Sequence, residues 1–490
     1  MLMKSSKLFF LVLLCSTFTF AQVGVNIPAN TSVNSSAAFE IQSGSSPKGM
    51  LTPRMTSAER IGITTPANGL LVFDMDIKAF HYYDTTTSTW IRINSDVNGR
   101  TNFKRLKSTD VLATVLAAEL SDGGGTKYKL KTNTLYEING TVTLDKPIEL
   151  NNAYIQGVDS GDDILVSAGN IFDGITGGTV KGLTVRSVGG KVFNLSGANT
   201  ENFIFRDCIV ANSSNVGSIN GFGLVFISVV QFSGNTAGIT YSNINQLLLS
   251  NLGWFGNNAG TFEKLTGTFK LVQKQGGFSE VNGAAVGFDV SGNPTISGDA
   301  VMENVVFTGT LTTGAYVNGY TTGSYTGYNF NNKWNVRSAG IPVETDAVAV
   351  GDVNLDSPYG TGVTTALTTG TAVKVGGTTV SNNFFRASNG GVNNKLVYLG
   401  NKKRFFTVNS VASFRGTAVS STIYVFYIAL NGVPVQRSKT YIFTTNSADV
   451  VAVPIQSILE LSPNDFVEVF VQRFSGSSDM LTVSLSLFMR

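Results

Sequence analysis

A repeat of short apolar strands constrains the fold of this chain more than any other feature. Pairs of apolar residues, each pair with one residue between its members, recur roughly every 20 residues. Turns rich in Asn, Ser and Gly follow each pair. The pairs are Leu183/Val185, Phe203/Phe205, Leu224/Phe226, Leu247/Leu249, Phe269/Leu271, Phe288/Val290 and Val305/Phe307. Such a strand-based period predicts a right-handed parallel β-helix over 131–340, with 133–159 as its first, less regular turns. The alternative is a strand-rich sandwich in which the pairs align by chance.

Composition agrees with an all-β chain. Charged residues make up only 14% of the sequence, which contains 53 glycines and many short runs of β-branched and aromatic residues between turn formers. The net charge of +3 over 490 residues leaves no concentrated basic surface. Nucleic acid is therefore not an expected partner.

Residues 1–21 have the pattern of a secretory signal peptide. Lys4 and Lys7 precede an apolar run from Leu8 to Cys15, and small or polar residues lead to Ala21. The bulky Leu14 before Cys15 does not fit a lipidation site. The alternative is an uncleaved N-terminal anchor. Cleavage would leave Cys208 as the only cysteine, which excludes an intramolecular disulfide.

Residues 22–98 predict a small β-meander that serves attachment. LLVFDMD, KAFHYYD and TWIRI read as three short strands separated by Asp- and Thr-rich turns. His81 is the only histidine, so we expect a packing residue and not a catalytic base. With no second histidine, a Cys/His zinc site is not expected, and the sequence predicts no metal and no cofactor.

This segment resembles a module of Bacteroidota surface proteins and of fibre proteins from phages that infect them. The words VGVN, AAFEIQS, KGMLTPRMTSAERIGI, PANGLLVFDMD and FHYYD followed by TW carry the resemblance in that order. It implies a location outside the cell or on a virion, and it implies no activity.

The chain continues with a linker over 99–130 and ends in a second β-rich domain over 344–490. The linker contains STDVLATVLAAELSD, which predicts a helix with Ser108 or Thr109 as its N-cap. We expect this helix to cover the open end of the β-helix. The C-terminal tract includes the hairpin signal Asn431-Gly432. Its words KVGGTT, KLVYLGNKKRFFTVNSVAS, YIALNGVPV and ILELSPNDFVEVFVQ resemble the complement-like and tumour-necrosis-like jelly-roll heads of phage fibres, which implies a jelly-roll β-sandwich and a homotrimer.

Candidate binding residues lie in two places. Trp254 and Phe255 could offer aromatic platforms to sugar rings, although Trp254 could equally fill the interior of a turn. Asp159, Asp162 and Asp163 form a loop cluster that could hold a cation, although a solvated turn explains them as well.

A glycosidase of this fold would show two acids in register on neighbouring turns. The aligned repeats instead place Glu201 and Glu303 several turns apart, and Asp207 has serines as its neighbours in register. Arg206 beside Asp207 is a single contact and does not amount to a lyase site. The sequence therefore predicts no enzyme and no catalytic residues.

The expected function is that of a virion fibre or spike, or tail fibre, that mediates host attachment by binding a receptor. Expected partners are two further copies of the chain, a host-surface glycan or protein receptor, and other virion proteins through the N-terminal module. The alternatives are a secreted cell-surface adhesin, which the signal peptide favours, and a β-helical polysaccharide lyase or hydrolase. The location is a virion surface or the cell exterior.

Overall fold

The computed structural model describes residues 23–25, 27, 32–43, 48–93, 102–381 and 383–490. The predicted signal peptide lies outside these residues. The chain divides into a unit that ends at Thr101 and a unit over Asn102–Arg490. No helix in the described ranges has the length and apolar character needed to span a bilayer.

The first unit contains two small sheets. Its four-stranded sheet runs over Arg54–Met55, Leu71–Asp74, Ala79–Asp84 and Thr89–Arg92, and a two-stranded parallel sheet joins Val23–Val25 to Phe39–Ile41. The helix Ser57–Ile61 begins with a capping box between Thr56 and Glu59. His81 is buried opposite Val72 and Arg92, as expected for a packing residue.

The second unit begins with a parallel β-solenoid, which confirms the predicted parallel β-helix. Each turn crosses three sheets, here called face A, face B and face C. Face A contains Phe103–Lys107, Leu135–Asn139, Tyr154–Gln156, Gly178–Lys181 and Trp334–Ala339. Face B contains Thr141–Leu144, Ile164–Ser167 and Thr184–Ser187. Face C contains Tyr128–Lys129, Ile148–Glu149, Phe172–Gly174, Lys191–Ser196, Asn215–Asn220, Val286–Asp289 and Ala315–Asn318.

Longer strands pass from one face to the next without a break. Asn202–Ala211, Leu224–Ser233 and Ala300–Thr308 cover faces A and B, whereas Ile239–Trp254 and Thr261–Glu280 cover faces C, A and B in turn. Thr295–Ile296 pairs with the second of these. Single residues with positive φ turn the corner between faces A and B, among them Asp207, Val229, Asn251, Gly276 and Asn304. Because one residue makes each of these corners, faces A and B keep the same relative register from Asn202–Ala211 to Ala300–Thr308, and the register shifts at the pairing with Trp334–Ala339.

The start of the coil differs from the sequence expectation in two details. Phe103–Lys107, within the predicted linker, already pairs with Leu135–Asn139 as the first strand of face A. The predicted helix is two short helices, Leu112–Val115 and Ala117–Asp122, and Val111 occupies the first N-cap without a side-chain hydrogen bond. Leu112 and Leu116 are buried in the same apolar cluster as the solenoid interior. The helical segment therefore packs against the apolar interior of the solenoid, and its role as a cap stays a prediction.

Residues 350–490 form two antiparallel sheets that share one apolar core. One sheet has the order Phe384–Phe385, Val350–Asp356, Met480–Met489, Arg404–Gly416 and Val451–Leu461, with Val363–Thr365 also on Met480–Met489. The other has the order Ala387–Ser388, Leu396–Tyr398, Phe466–Ser475, Thr422–Leu430 and Val433–Pro434, with Ala372–Lys374 and Thr440–Thr444 paired beside it. Short 3-10 helices lie at Asp346–Val348 and Gln436–Ser438. We call this sandwich the head.

Candidate functional site on face C of the solenoid

The two aromatic residues predicted to bind sugar occupy opposite sides of the solenoid wall. Trp254 is fully buried, and its ring stacks on Phe262 with 4.5 Å between the centroids. Phe255 points outward, is half-buried, and meets Phe278 edge to face at 5.1 Å. Trp254 therefore fills the interior of a turn, and only Phe255 reaches the surface.

The aspartates of the 159–163 loop do not converge on one point. Asp163 is buried, and its carboxylate accepts hydrogen bonds from the backbone N–H groups of Gly140, Val158 and Asp159 at 2.6–3.0 Å. Burial acts to raise the pKa of Asp163, but these backbone donors outweigh it and leave the pKa lowered. Asp159 is exposed and accepts from Gly161 N–H, and Asp162 is exposed as well. Among the described residues, no group of three potential ligands is placed to hold a metal ion. Asp163 thus fastens the loop.

Face C carries a continuous outward ladder of polar side chains. Consecutive strands place one hydrophilic residue after another at the same outward position of the pleat, and every residue of the ladder is polar or charged. The ladder is Lys129, Glu149, Asp173, Asn194, Ser218, Thr240, Lys264, Asp289 and Asn318. Neighbouring strands are ~4.8 Å apart, so the stretch from Glu149 to Lys264 is about 24 Å long.

A groove of about 340 Å³ lies in the middle of this ladder, between Lys191 and Lys264. Its floor consists of small residues, including Ser218, Gly238 and Thr240. A Cβ atom on Gly238 would lie 2.0 Å from the carbonyl oxygen of Thr261, so only glycine fits there. The floor therefore stays low while two ammonium groups stand at its sides.

Both lysines lie beside neutral or acidic groups, and each ammonium group keeps N–H donors that these neighbours do not use. The Nζ of Lys191 donates to Asn194 Oδ1 at 3.3 Å, and the Nζ of Lys264 lies 3.4 Å from Asp289 Oδ2. An ammonium group has three donors, so each can still bind a further acceptor. The groove thus offers hydroxyl, amide and ammonium groups to a ligand.

Two carboxylates precede the groove on adjacent turns of the ladder. Ile148 pairs with Phe172, so Glu149 and Asp173 follow side by side. Glu149 bends toward the next turn, where a Cβ on Gly174 would lie 2.7 Å from its Cγ, and its carboxylate is 3.0 Å from Lys127 Nζ. The amides of Asn170 and Asn194 donate to Asp173 Oδ2 at 2.6 and 3.0 Å. The solenoid therefore holds two acids in register, the arrangement that the aligned repeats lacked.

The other acids considered from the sequence do not form such a pair. Glu201 accepts a hydrogen bond from Gly177 N–H at 2.9 Å and stabilises a turn. Arg206 Nε lies 3.9 Å from Asp207 Oδ2, and both side chains are about half exposed. Glu303 lies beside Arg337 in register on face A. None of these is part of the groove on face C.

Comparison with known proteins gives one sequence match and several remote structural ones. Residues 24–108 match the family described as the phage tail like trimerisation region. No curated protein matches the chain. Tailspike protein 4 of bacteriophage CBA120, described as an enzymatically active domain, aligns over 89% of this chain and 76% of its own at 8% identity, with a TM-score of 0.27.

Two further phage proteins align at similar levels. The tailspike gp49 of Acinetobacter baumannii bacteriophage Fri1, described as a capsular polysaccharide depolymerase, aligns over 89% of this chain and 98% of its own at 9% identity and a TM-score of 0.26. ORF18 of Geobacillus virus E2 covers 84% of this chain and 89% of its own at 8% identity and a TM-score of 0.24.

These comparisons correct one expectation from the sequence. The prediction that the chain is not an enzyme is wrong, because phage tailspikes with which it aligns are described as enzymatically active and as a depolymerase. Identities of 8% and 9% transfer no catalytic residue to this chain. The chain therefore joins a region similar to the phage tail like trimerisation family to a parallel β-solenoid, and it is similar to phage tail-spike proteins.

Proposed function

We propose that this chain is a subunit of a phage tail spike that binds a polysaccharide of the bacterial surface along face C. The observation that carries the proposal is the outward ladder from Glu149 to Lys264, in which every residue is polar and whose centre opens into the groove. Virion association through the N-terminal region is supported by the match over residues 24–108.

The chemistry of the groove fits a sugar chain with acidic substituents. Ser218, Thr240 and Asn215 provide hydroxyl and amide groups that both donate to and accept from sugar hydroxyls. Lys191 and Lys264 add charge-assisted hydrogen bonds to carboxylate, sulfate or phosphate groups on the sugar. The ladder continues over nine strands, which suits an extended polymer better than a small molecule.

The head supports the same proposal. Its strands at 350–356, 396–398, 404–416, 422–430, 440–444, 451–461, 466–475 and 480–489, numbered one to eight, give the sheet orders 1-8-3-6 and 2-7-4-5. That order supports a jelly roll, the domain expected at the receptor-binding end of a fibre. In this proposal the head contacts the receptor.

Cleavage of the bound polysaccharide is a second candidate function, favoured by the acid pair. Hydrolysis of a glycosidic bond needs one carboxylic acid to protonate the leaving oxygen and a carboxylate that activates water or attacks the sugar, with about 5–9.5 Å between the two groups. Glu149 and Asp173 stand on strands ~4.8 Å apart, which is compatible with that separation. Asp173 is half-buried and the more accessible of the two.

Binding is tested with the purified full-length chain and a panel of bacterial capsular polysaccharides, some neutral and some containing uronic acids. Thr240→Trp fills the groove, and we expect it to weaken binding at least tenfold. Gln231→Trp, on the exposed surface of face B in the same turn, is the matched control and should leave binding unchanged. Equal effects of the two variants, or no binding by the unmodified chain, would reject the groove as the polysaccharide-binding site.

Cleavage is tested in the same samples by the release of reducing ends. Asp173→Asn and Glu149→Gln should each abolish release and retain binding, since both keep the side-chain volume. Release that survives both substitutions would exclude this pair. Mass spectrometry of purified phage particles and of culture medium separates a spike, found in the particles, from a secreted adhesin, found only in the medium or on cells.

A further inference from the structure

A small cavity lies between the loops at one end of the head. It has a volume of about 180 Å³ and is lined by Arg415, Gly416, Thr417, Ser447 and Leu481. Sites that enclose drug-sized ligands measure roughly 300–1,000 Å³, so this smaller volume suits a single sugar residue. Two of the lining residues carry hydroxyl groups, and Leu481 contributes an apolar side chain. The cavity therefore combines a cation, hydrogen-bonding groups and an apolar wall.

The guanidinium of Arg415 lacks an acidic partner. Its Nη1 and Nη2 atoms donate to the carbonyl oxygens of Ser447 at 3.4 Å and Gly360 at 3.1 Å, and its Nε has no hydrogen-bond partner. A guanidinium has five N–H donors, so each Nη keeps one for a ligand. Arg386 and Arg473, also in the head, each form an ion pair with an aspartate. Arg415 forms none with any residue that the structure describes.

The acids of the neighbouring loops are engaged elsewhere. One carboxylate oxygen of Asp479 lies 3.3 Å from Arg473 Nη1. Asp449 accepts a hydrogen bond from the side-chain amide of Asn446 at 3.1 Å, within an exposed loop. Neither carboxylate pairs with Arg415. The positive charge at the cavity therefore remains available to an anion from outside the chain.

The cavity lies far from the junction between the head and the solenoid. Arg404 begins the strand Arg404–Gly416 and donates to the carbonyl oxygen of Asp346, shortly after the last solenoid strand Trp334–Ala339. Arg415 follows Arg404 by 11 residues on the same strand. At about 3.4 Å per residue it lies about 37 Å from that junction. This end of the head is therefore free of the solenoid and open to a ligand.

We propose that this cavity binds the carboxylate of an acidic sugar residue on the bacterial surface. The planar guanidinium of Arg415 matches a carboxylate through two parallel N–H···O bonds. The hydroxyl groups of Thr417 and Ser447 bind hydroxyl groups of the ring, and Leu481 packs against its apolar face. This inference deepens the proposed function, since it rests on contact between the head and the receptor, and it adds a site separate from the groove on face C.

Ligand-observed NMR on the full-length chain tests the site. The probes are glucuronate, galacturonate and N-acetylneuraminate, with glucose as the neutral control, and a Thr240→Trp background fills the groove on face C. We expect saturation transfer to at least one acid sugar and none to glucose, and Arg415→Gln should lower that signal at least fivefold. Arg437→Gln is the matched control, because Arg437 also donates to a backbone carbonyl oxygen of the head, and it should leave the signal unchanged. Equal losses in the two variants, or no transfer to any acid sugar, would overturn the proposal.

Two further variants separate ligand binding from support of the loops. Ser447→Trp fills the cavity but keeps the backbone carbonyl that Arg415 contacts, and it should abolish the signal. Arg415→Lys keeps the charge but not the planar fork, so we expect at least threefold weaker binding. A signal retained in Ser447→Trp would reduce Arg415 to a support of the loops and overturn the proposal.

Inorganic phosphate tests the identity of the bound group. Displacement of the acid sugar by an equal concentration of phosphate would show a general anion site and contradict the carboxylate assignment. All of these measurements use the chain with its face C groove filled. Failure of polysaccharide binding on face C and failure of this inference are therefore distinguishable.

Discussion

Asn258 fixes the turn that contains Asn235, because one side-chain oxygen of Asn258 accepts two hydrogen bonds from Asn235. Its Oδ1 accepts from the backbone N–H of Asn235 at 2.8 Å and from the Asn235 side-chain amide at 2.9 Å. The motif repeats along the coil: Asn235 Oδ1 accepts from Ser213 N–H, and Ser213 Oγ accepts from Ser187 N–H, each at 3.0 Å. All four residues are buried. This ladder satisfies backbone groups at the corner between faces B and C, where strand pairing is interrupted.

Asn235→Ala should destabilise the solenoid by roughly 2–4 kcal/mol, because it leaves the N–H of Ser213 and the carbonyl of Val210 buried without their partner. Denaturant unfolding of the full-length chain measures the loss. The matched control is Asn257→Ala, since Asn257 bonds Ser233 and Gly234 at the exposed surface. We expect less than ~0.5 kcal/mol there. Similar losses in the two variants would show that the buried hydrogen-bond ladder contributes no more to stability than the exposed hydrogen bonds of Asn257 do.

Val229 adopts a backbone conformation that its side chain disfavours. It makes the corner between faces A and B with φ of 54°, where its neighbours in the coil are Asp207 and Asn251, with φ of 55° and 51°. A β-branched residue is strained in this region by about 1–2 kcal/mol, whereas Asn adopts it readily. Val229→Asn should therefore stabilise the chain by about 1 kcal/mol, measured as a higher unfolding midpoint, and Asn251→Val should lower it. A midpoint that falls in Val229→Asn would refute the argument.

An ion pair lies among the apolar side chains of the solenoid interior. Lys274 Nζ is 2.7 Å from Glu263 Oε2, and both side chains are almost fully buried. In the coil, Leu249 and Met302 flank Lys274, and Ile239 and Phe288 flank Glu263. Burial raises the pKa of Glu263, and the Lys274 ammonium partly offsets that rise.

Lys274→Met should cost about 3–5 kcal/mol at neutral pH, because it leaves a buried carboxylate without its cation. The pKa of Glu263 is then raised further. An acid whose folded pKa is raised contributes stability that is present below its unfolded pKa and is lost as the pH rises through the folded value. Since the pKa of Glu263 is already raised in the unmodified chain, both chains lose stability together until the pH passes that value. The deficit of the variant should then grow as the pH rises from the folded pKa of Glu263 in the unmodified chain to its higher value in the variant, as thermal unfolding can measure. Adding Glu263→Leu should restore most of the stability and remove the pH dependence; a deficit independent of pH would contradict this account.

The repeat was predictable from the sequence, but its register was not. Leu224 and Phe226 were paired as inward residues, whereas the structure turns them outward and buries Val225 and Ile227. In the run Leu-Val-Phe-Ile every residue is apolar, so a slip by one position leaves no trace in the pattern. The apolar exterior of face A is thus the reason why the alignment slipped.

The acid pair was missed for a related reason. Glu149 and Asp173 lie before the first aligned repeat, on short strands with irregular connections. The turns also differ in length, since Phe203 pairs with Val225 on the next turn, whereas Ala300 pairs with the more distant Trp334. A search for a fixed period cannot bring such residues into register. The alternation in NLGWFGNN did contain a usable signal, because adjacent residues such as its Trp and Phe must face opposite sides of a strand.

Arg386 joins the head to the last turn of the solenoid and provides the final prediction. Its buried guanidinium pairs with the carboxylate of Asp346 and donates to the carbonyl oxygens of Trp334 and, at 2.9 Å, Glu344. Arg386→Met keeps the apolar stem but leaves Asp346 and two carbonyl groups without their cation, so we expect a loss of about 3–5 kcal/mol. Arg437→Met is the control, because Arg437 donates to Ile458 at the exposed surface and should cost less than ~0.5 kcal/mol. Limited proteolysis should cut Arg386→Met, and not the control, between residues 340 and 400. Resistance of both variants to cleavage would show that the junction is held by its apolar contacts alone.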